Sequence, residues 1–218
     1  MIKRLFDIVA SLLGLILLSP LFLILSLLIA CASKGGVFFR GERTGKNGKM
    51  FRIFKFRSMV KDAEGNGKWN VGNNDPRLTK VGIFLRKTKL DEIPQLINVL
   101  IGQMSFVGYR PELKYYTDMY TKEEKHILDL KPGITDWASM VNMKQFEGFT
   151  KASDPDEYYL KCVRPLKLKL QLYYRYNHSF FSDIYCIILT VLKVFTRSDK
   201  LPKKIQAIVD EYRKEQEK

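Results

Sequence analysis

Cysteine and histidine are too few and too scattered in this chain to build the usual inorganic scaffolds. Three cysteines (Cys31, Cys162 and Cys186) lie far apart with no Cys-x-x-Cys pair, and the two histidines, His126 and His178, stand at no familiar zinc spacing. That excludes a zinc finger and a disulfide framework, and it reads as free thiols in a reducing compartment. There is no internal repeat and no low-complexity tract. Acidic residues are in deficit, 23 against 37 Lys and Arg, leaving a net charge of +14. Such a balance implies anionic partners: nucleic acid, acidic lipid or phosphorylated substrates. From Ile8 to Ser33 charge of either sign is missing altogether.

That uncharged run dominates the N-terminus. Lys3 and Arg4 followed by apolar residues have the outline of a signal peptide, and the small residues of "IACASKGG" allow a cleavage site by pattern. The run is too long for a signal-peptide core, and the chain lacks the disulfide signature of an exported protein. Twenty-six residues from Ile8 to Ser33 make a helix of about 39 Å, enough to cross a hydrocarbon core of about 30 Å. Two features favour a re-entrant hairpin instead. Pro20 removes a backbone hydrogen bond and bends the helix, with Ser19 beside it to satisfy a freed carbonyl. Basic residues flank both ends, Lys3 and Arg4 before and Lys34, Arg40 and Arg43 after, which places both ends on the cytoplasmic face. Each arm would then be about 12 residues, too short to cross. A kinked span remains the plainer alternative.

The remainder alternates short strands, turns and helices, an α/β chain (mixed, helix-rich with a small sheet). "KMFRIFKFRSM", residues 49–59, alternates with a period of two: Phe51, Ile53 and Lys55 on one face, Arg52, Phe54 and Phe56 on the other. "GVFFRGERTGKNGK" before it reads as a strand and a glycine-rich turn, so the pair suggests a hairpin; its glycines miss the phosphate-loop spacing. Asp62 to Gly82 is turn-rich. "IFLRKTKLDEIPQLINVLIG" returns to helical periodicity, with Leu96, Val99 and Leu100 on the apolar face, Pro94 in a first turn and Gly102 at the end. "TKEEKHILDLKPG" predicts a short helix closed by Pro132-Gly133. "SDPDEYYLKCVRPLKLKLQLYYRYN" predicts a longer basic amphipathic helix capped by Ser153 or Asp154. "FSDIYCIILTVLKVF" is too short to span comfortably and reads as a core or interfacial helix. Three segments result: 1–33 as the membrane-inserted helix, 34–200 as a cytoplasmic catalytic domain and 201–218 as a polar tail, a helix or a frayed end.

Chemistry concentrates in "LRKTKLDEIPQL". Asp91 and Glu92 are adjacent acids among Arg86, Lys87 and Lys89. Neighbours in a helix diverge by about 100°, so one carboxylate can attack phosphorus while the other holds Mg²⁺. The surrounding cations are expected to lower both pKa values. The plainer reading is a pair of acids complementing a helix N-terminus. Arg110 in "GQMSFVGYRPEL" projects from a tight loop, suited to a bidentate phosphate contact or merely a surface arginine. Lys55 and Arg57 carry the same ambiguity, anion clamp or solvated strand face. Asp154 to Asp156 matches a three-residue metal-binding pattern of glycosyltransferases, though helix capping explains it better.

Taken in order and spacing, "KRLFDIVASLLGLILLSPLFL", "FKFRSM", "RKTKLDEIPQLINVLIGQMSFVGYRPE" and "KPGITDWAS" resemble the bacterial sugar transferases that initiate surface-glycan assembly, the monotopic phosphoglycosyl transferases. The likeness runs from Met1 to about Arg197 and fits a minimal catalytic form, without the extra N-terminal spans of some relatives. It implies transfer of a sugar phosphate from a UDP-sugar to polyprenyl phosphate, giving a polyprenyl-diphosphate-sugar and UMP. It further implies Asp91 as nucleophile forming a covalent phosphosugar intermediate, Glu92 with Asp91 holding Mg²⁺, and Lys55, Arg86 and Arg110 binding phosphates. The Ser19-Pro20 pair matches the family's helix break, which turns the hairpin back. The resemblance places the chain at the bacterial inner (cytoplasmic) membrane with its site on the cytoplasmic face, in contact with anionic lipids. No nucleic acid is expected; a homodimer is compatible. Four positions depart from the commonest pattern: Tyr109 stands where many relatives have Pro, Asp136 and Ser139 replace Gly and Gln, and Gln171 replaces Asp. A longer insert also follows Trp137.

Three other classes compete. A membrane-tethered nucleic-acid binder is allowed by charge, but no recognised binding signature appears. A non-catalytic scaffold would not depend on Asp91, and a hydrolase would not need polyprenyl phosphate. The sugar is not readable from one sequence.

Overall fold

A proline breaks the first long helix as its chemistry demands. In the computed structural model, which describes residues 1–60, 77–141, 155–196 and 201–216, helix α1 spans Ile2–Leu17 and α2 spans Ser19–Ala32, with Pro20 in the first turn of α2. The missing amide of Pro20 costs least there. The Ser19 hydroxyl donates to the Ile16 carbonyl at 2.8 Å, satisfying a group freed by the break. The two helices bend by 62° at Leu18. Among the described residues no single helix is long and apolar enough to cross a membrane; the bent pair together passes on length and composition.

The chain divides into two compact units, Met1–Arg43 with Met50–Ser105, and Thr44–Lys49 with Phe106–Lys218. In the first unit, β1 (Phe38–Phe39), β2 (Glu42–Thr44), β3 (Met50–Arg52) and β4 (Lys55–Phe56) form a nested hairpin. Strand β2 pairs with β3, and β1 runs antiparallel to β4 with Phe38 opposite Phe56 and Phe39 opposite Lys55. This is the hairpin the alternation predicts. Helix α3 (Lys80–Thr88) and α4 (Gln95–Leu100) follow, separated by a 3₁₀ turn, Leu90–Glu92. Two helices thus carry the helical periodicity read from the sequence, and the second lies between Pro94 and Gly102 as expected. Lys89 adopts a left-handed conformation (φ 60°) that ends α3, and Pro94, with no amide to offer, precedes α4. Helix α3 also starts earlier than the sequence suggests, because the Thr79 hydroxyl caps it by accepting from the Gly82 amide at 2.9 Å.

Helix α1 is arranged inside out relative to a water-soluble helix. Its buried positions are Asp7 and Ser11, whereas Leu5, Leu12, Leu13, Ile16 and Leu17 are exposed. Ser105 donates to Asp7 at 3.1 Å, and Gly14 comes close enough to Leu96 that an added Cβ would sit 3.2 Å from it. Arg4 closes the far end of α4, donating to the Val99 and Leu100 carbonyls at 2.6 and 2.8 Å. On α2, Leu25 and Ile29 are buried with Phe56 and Leu85, so the hairpin arm, β4 and α3 share one apolar cluster.

In the second unit β5 (Ser105–Val107) pairs with β6 (Gly133–Thr135). The chains cross so tightly beyond them that a Cβ on Gly108 would fall 2.2 Å from the Lys131 carbonyl, and one on Gly133 2.1 Å from the Gly108 nitrogen. Only glycine fits at either place. Helix α5 is Lys114–Asp118, and a 3₁₀ segment, Glu124–Asp129, stands where a short helix is expected. Thr121 and Glu124 cap it reciprocally. Helix α6 (Trp137–Met140) precedes α7 (Pro155–Tyr158), a π turn at Tyr159–Val163 and α8 (Arg164–Asn177). The single long helix expected over 155–177 is present without a break, with the π turn inside it and Pro165, where the ladder loses a donor, directly after that turn. The proposed caps Ser153 and Asp154 lie outside the described residues. Helices α9 (Phe180–Thr196) and α10 (Lys203–Gln216) complete the unit. Its core gathers Trp137, Met140, Leu166, Leu170, Tyr174 and Cys186 with Ile205, Val209 and Tyr212 of α10. On α9, Phe181, Tyr185, Ile188 and Leu192 face outward.

Candidate active site

The 3₁₀ turn after α3 carries the acid pair. A 3₁₀ helix has three residues per turn, so consecutive side chains diverge by about 120°. Asp91 accordingly turns inward, 8% exposed, while Glu92 meets Lys55 of β4 at 2.9 Å. The pairing of β4 with β1 and the burial of Phe56 beside Lys55 hold that lysine in place. Arg86, in the last turn of α3, donates from Nε to the Ser58 hydroxyl at 3.0 Å. Lys55, Arg86, Asp91 and Glu92 thus all belong to the first unit. Arg110 belongs to the second.

Burial governs the Asp91 carboxyl. Desolvation raises its pKa above the ordinary carboxylate range, outweighing the opposing pull of Lys55; Glu92 pushes it further up, and Lys89 and Arg86 pull weakly down. The sequence expectation that neighbouring cations would lower it is therefore corrected, because spacing along the chain does not reveal how far the group is withdrawn from water. One oxygen, Oδ1, is buried without a hydrogen-bond partner among the described residues. An unsatisfied carboxylate oxygen is costly in a folded core and points to a ligand or a reaction there.

Mg²⁺ was expected at Asp91 and Glu92. Among the described residues no group of three or more His, Cys, Asp and Glu side chains could hold a metal. Mg²⁺ keeps waters and takes one or two carboxylates plus substrate phosphates, so it does not require such a group. Asp91 Oδ1, buried and without a partner among the described residues, fits such a ligand.

Arg57 has a structural role that neither sequence reading named. It donates to the Ser33 and Lys34 carbonyls at 2.8 and 3.0 Å, closing the C-terminal end of α2. In the second unit, three positions that depart from the family pattern meet. Asp136 caps α6 through Oδ1, which accepts from the Ser139 amide at 2.7 Å. Its Oδ2 accepts from Gln171 Nε2 at 2.9 Å and from the Arg110 amide at 3.3 Å. Reading the sequence marked Asp136, Ser139 and Gln171 separately; the Asp-Trp-Ala-Ser capping pattern was the one signal linking two of them. Another buried cluster escaped notice. Glu112 accepts from Lys167 at 2.5 Å, Tyr159 at 2.6 Å and Tyr120 at 2.9 Å. A shallow cleft of about 540 Å³ in this unit, bordered by Lys114, Asp118, Lys125 and Asp129, contains none of the expected site residues.

Residues 1–197 match the bacterial sugar transferase family, and the chain belongs to it. It is 36% identical over 200 residues to a UDP-N-acetylgalactosamine-undecaprenyl-phosphate N-acetylgalactosaminephosphotransferase of Aeromonas hydrophila, covering 89% of this chain and 44% of that protein. To the UDP-glucose:undecaprenyl-phosphate glucose-1-phosphate transferase of Escherichia coli K12 it is 40% identical over 198 residues, 89% of this chain and 40% of that protein. An uncharacterized sugar transferase of Bacillus subtilis, EpsL, is 36% identical over 193 residues, 88% of this chain and 87% of that protein. The chain therefore spans less than half the length of the first two relatives.

Proposed function

We propose that this protein transfers a sugar-1-phosphate from a UDP-sugar to a polyprenyl phosphate such as undecaprenyl phosphate, as the first step of a capsule, exopolysaccharide, O-antigen or glycoprotein glycan. The observation that carries the reading is the buried Asp91 carboxylate, with an oxygen that has no partner among the described residues, set beside the Lys55–Glu92 ion pair on the 3₁₀ turn. The relatives named for undecaprenyl-phosphate transfer supply the substrate class.

Asp91 attacks the sugar-bearing phosphorus of the UDP-sugar. A bond forms from its carboxylate oxygen to phosphorus, the phosphoanhydride bond breaks, and UMP leaves. A phosphate oxygen of the polyprenyl phosphate then attacks the same phosphorus, the acyl-phosphate bond breaks, and the Asp91 carboxylate is regenerated. Burial makes Asp91 a stronger base and a better nucleophile once ionised, while Lys55, Arg86 and Lys89 oppose its protonation. Lys55 and Arg86 bind phosphate oxygens as charge shifts between them. Glu92 and Asp91 hold Mg²⁺, which when bound neutralises phosphate charge.

The acceptor phosphate lies at headgroup level, so the site must too. The α1–α2 bend fits a re-entrant hairpin at the cytoplasmic face of the inner membrane, with apolar side chains turned outward and Asp7, Ser11 and Gly14 turned to protein. The net charge of +14 suits anionic lipids. The test is UMP release by detergent-purified protein with Mg²⁺ and a panel of UDP-sugars, with and without polyprenyl phosphate. Lipid-dependent release that vanishes in Asp91→Asn and Glu92→Gln is expected. Release without lipid, or undiminished in Asp91→Asn, overturns the mechanism.

A further inference from the structure

An asparagine buried in an apolar helix demands an explanation. Asn98 lies in "LINVLIG" on α4 with no exposed surface, a position where leucine would bury more apolar area without desolvating an amide. Its side chain is fully engaged as a donor. Oδ1 accepts from the Phe54 amide at 2.7 Å, and Nδ2 donates to the Arg52 carbonyl at 3.0 Å and to Gln103 Oε1 at 2.7 Å. An amide and a carbonyl two residues apart on one edge of an extended chain are the groups a neighbouring strand would engage. The Asn98 amide thus takes the place of a strand partner at the segment joining β3 to β4. From the other side, the Arg40 guanidinium lies 3.4 Å from the centre of the Phe54 ring.

The residue after Phe54 is Lys55, which pairs with Glu92. The helix that carries Asn98 begins three residues after Glu92. Asn98 therefore bridges the two chain segments whose side chains form the candidate site, one residue from the first and a turn and a half from the second. We infer that Asn98 is a positioning residue that sets the register of the Lys55-bearing segment against the Asp91–Glu92 turn. The inference rests on the proposed transfer reaction for its catalytic consequence and on the hydrogen bonds alone for its geometry.

Two measurements test it, and they fail separately. The first is amide hydrogen exchange at residues 52–55 in wild type, Asn98→Ala and Asn98→Asp, which needs no activity. Loss of the clamp is expected to speed exchange at Phe54 in Asn98→Ala. Asn98→Asp, nearly the same size, retains an acceptor for Phe54 but sets oxygen against the Arg52 carbonyl, and it serves as the second variant if Asn98→Ala does not fold. Unchanged exchange at Phe54 in the folded variants overturns the clamp. The second is a kinetic cycle of Asn98→Ala (or Asn98→Asp) with Lys55→Ala, read as UMP release. Misplacing a catalytic group by about 1 Å can cost about 100-fold, so kcat should fall by about that factor with KM for the UDP-sugar nearly unchanged. A residue acting through Lys55 adds little once Lys55 is gone, so the double variant should match Lys55→Ala alone. Losses that multiply would instead mark general destabilisation and overturn the positioning role. Wild-type protein that releases no UMP would count against the transfer reading, while the exchange result would still decide the clamp.

Discussion

Removing the Lys167 ammonium leaves the Glu112 carboxylate buried against the Tyr159 and Tyr120 hydroxyls, without its ion-pair partner. Glu112 is 6% exposed and the Lys167 side chain 15% exposed. Burial pushes the Glu112 pKa up, but the charge and hydrogen bond of Lys167, with the hydroxyls of Tyr159 and Tyr120, outweigh it and hold the group below its ordinary value. A carboxyl lowered in this way stabilises the fold above its unfolded pKa, and the contribution is lost as pH falls through the folded value. Breaking a buried pair from one side costs about 3–5 kcal/mol. At about 2–4 °C per kcal/mol for a chain of this size, Lys167→Met should lower Tm by about 6–20 °C at pH 7. Without Lys167 the carboxyl titrates upward, so the gap to wild type should narrow as pH falls toward 5. Lys167→Met with Glu112→Gln, which removes both charges, should recover most of the loss. The assay is thermal unfolding in detergent, followed by tryptophan fluorescence at pH 5 and pH 7. A shift under about 2 °C, a gap independent of pH, or a double variant as unstable as the sum of the singles would refute the reasoning.

Gly82→Ala should destabilise the first unit, because its Cβ would lie 1.8 Å from the Ser58 carbonyl, a backbone atom that cannot step aside. A loss of about 1–3 kcal/mol is expected in the same melt, and an unchanged Tm would mean α3 sits farther from β4. Single cysteines at Lys3 and Lys34, in a background with Cys31, Cys162 and Cys186 all changed to Ser, should both react with an impermeant maleimide from the cytoplasmic side of sealed vesicles; labelling from opposite sides would make the hairpin a kinked span. Cys186, whose thiol pKa is raised to about 12 first by burial and then by Asp136 and Asp183, should stay unlabelled at pH 7 while exposed Cys31 reacts. Comparable rates at the two would show that the core around Cys186 is open.

Local patterns with a local cause were legible in the sequence. Alternation of apolar and basic residues around Phe51 to Phe56 is a direct consequence of the two-residue strand period, and the nested hairpin follows from it. Pro20 breaks the first helix wherever it is placed, since no environment restores its amide. Pro165 acts more mildly, because the helix over 155–177 stays continuous and takes up the lost donor next to a π turn. Lys55, Asp91 and Glu92 were named from residue type and setting, and the Lys55–Glu92 contact joins residues 37 apart.

What required the tertiary structure was environment. Whether Asp91 is raised or lowered depends on how much water the fold removes, a sum over neighbours distant in sequence, and the charges adjacent in the chain pointed the wrong way. Arg57 held two readings in the sequence and proved to serve a third, because the carbonyls it caps come from Ser33 and Lys34, more than twenty residues away. Asn98 gave only the hint of an amide among leucines; its partners at Arg52 and Phe54 lie on another element. By itself the sequence determined the short-range geometry and the inventory of charged groups, since backbone sterics and side-chain chemistry travel with each residue. The tertiary structure alone decided which of those groups meet, which lose their water and which are spent on closing helices, because burial and pairing depend on contacts between segments remote along the chain.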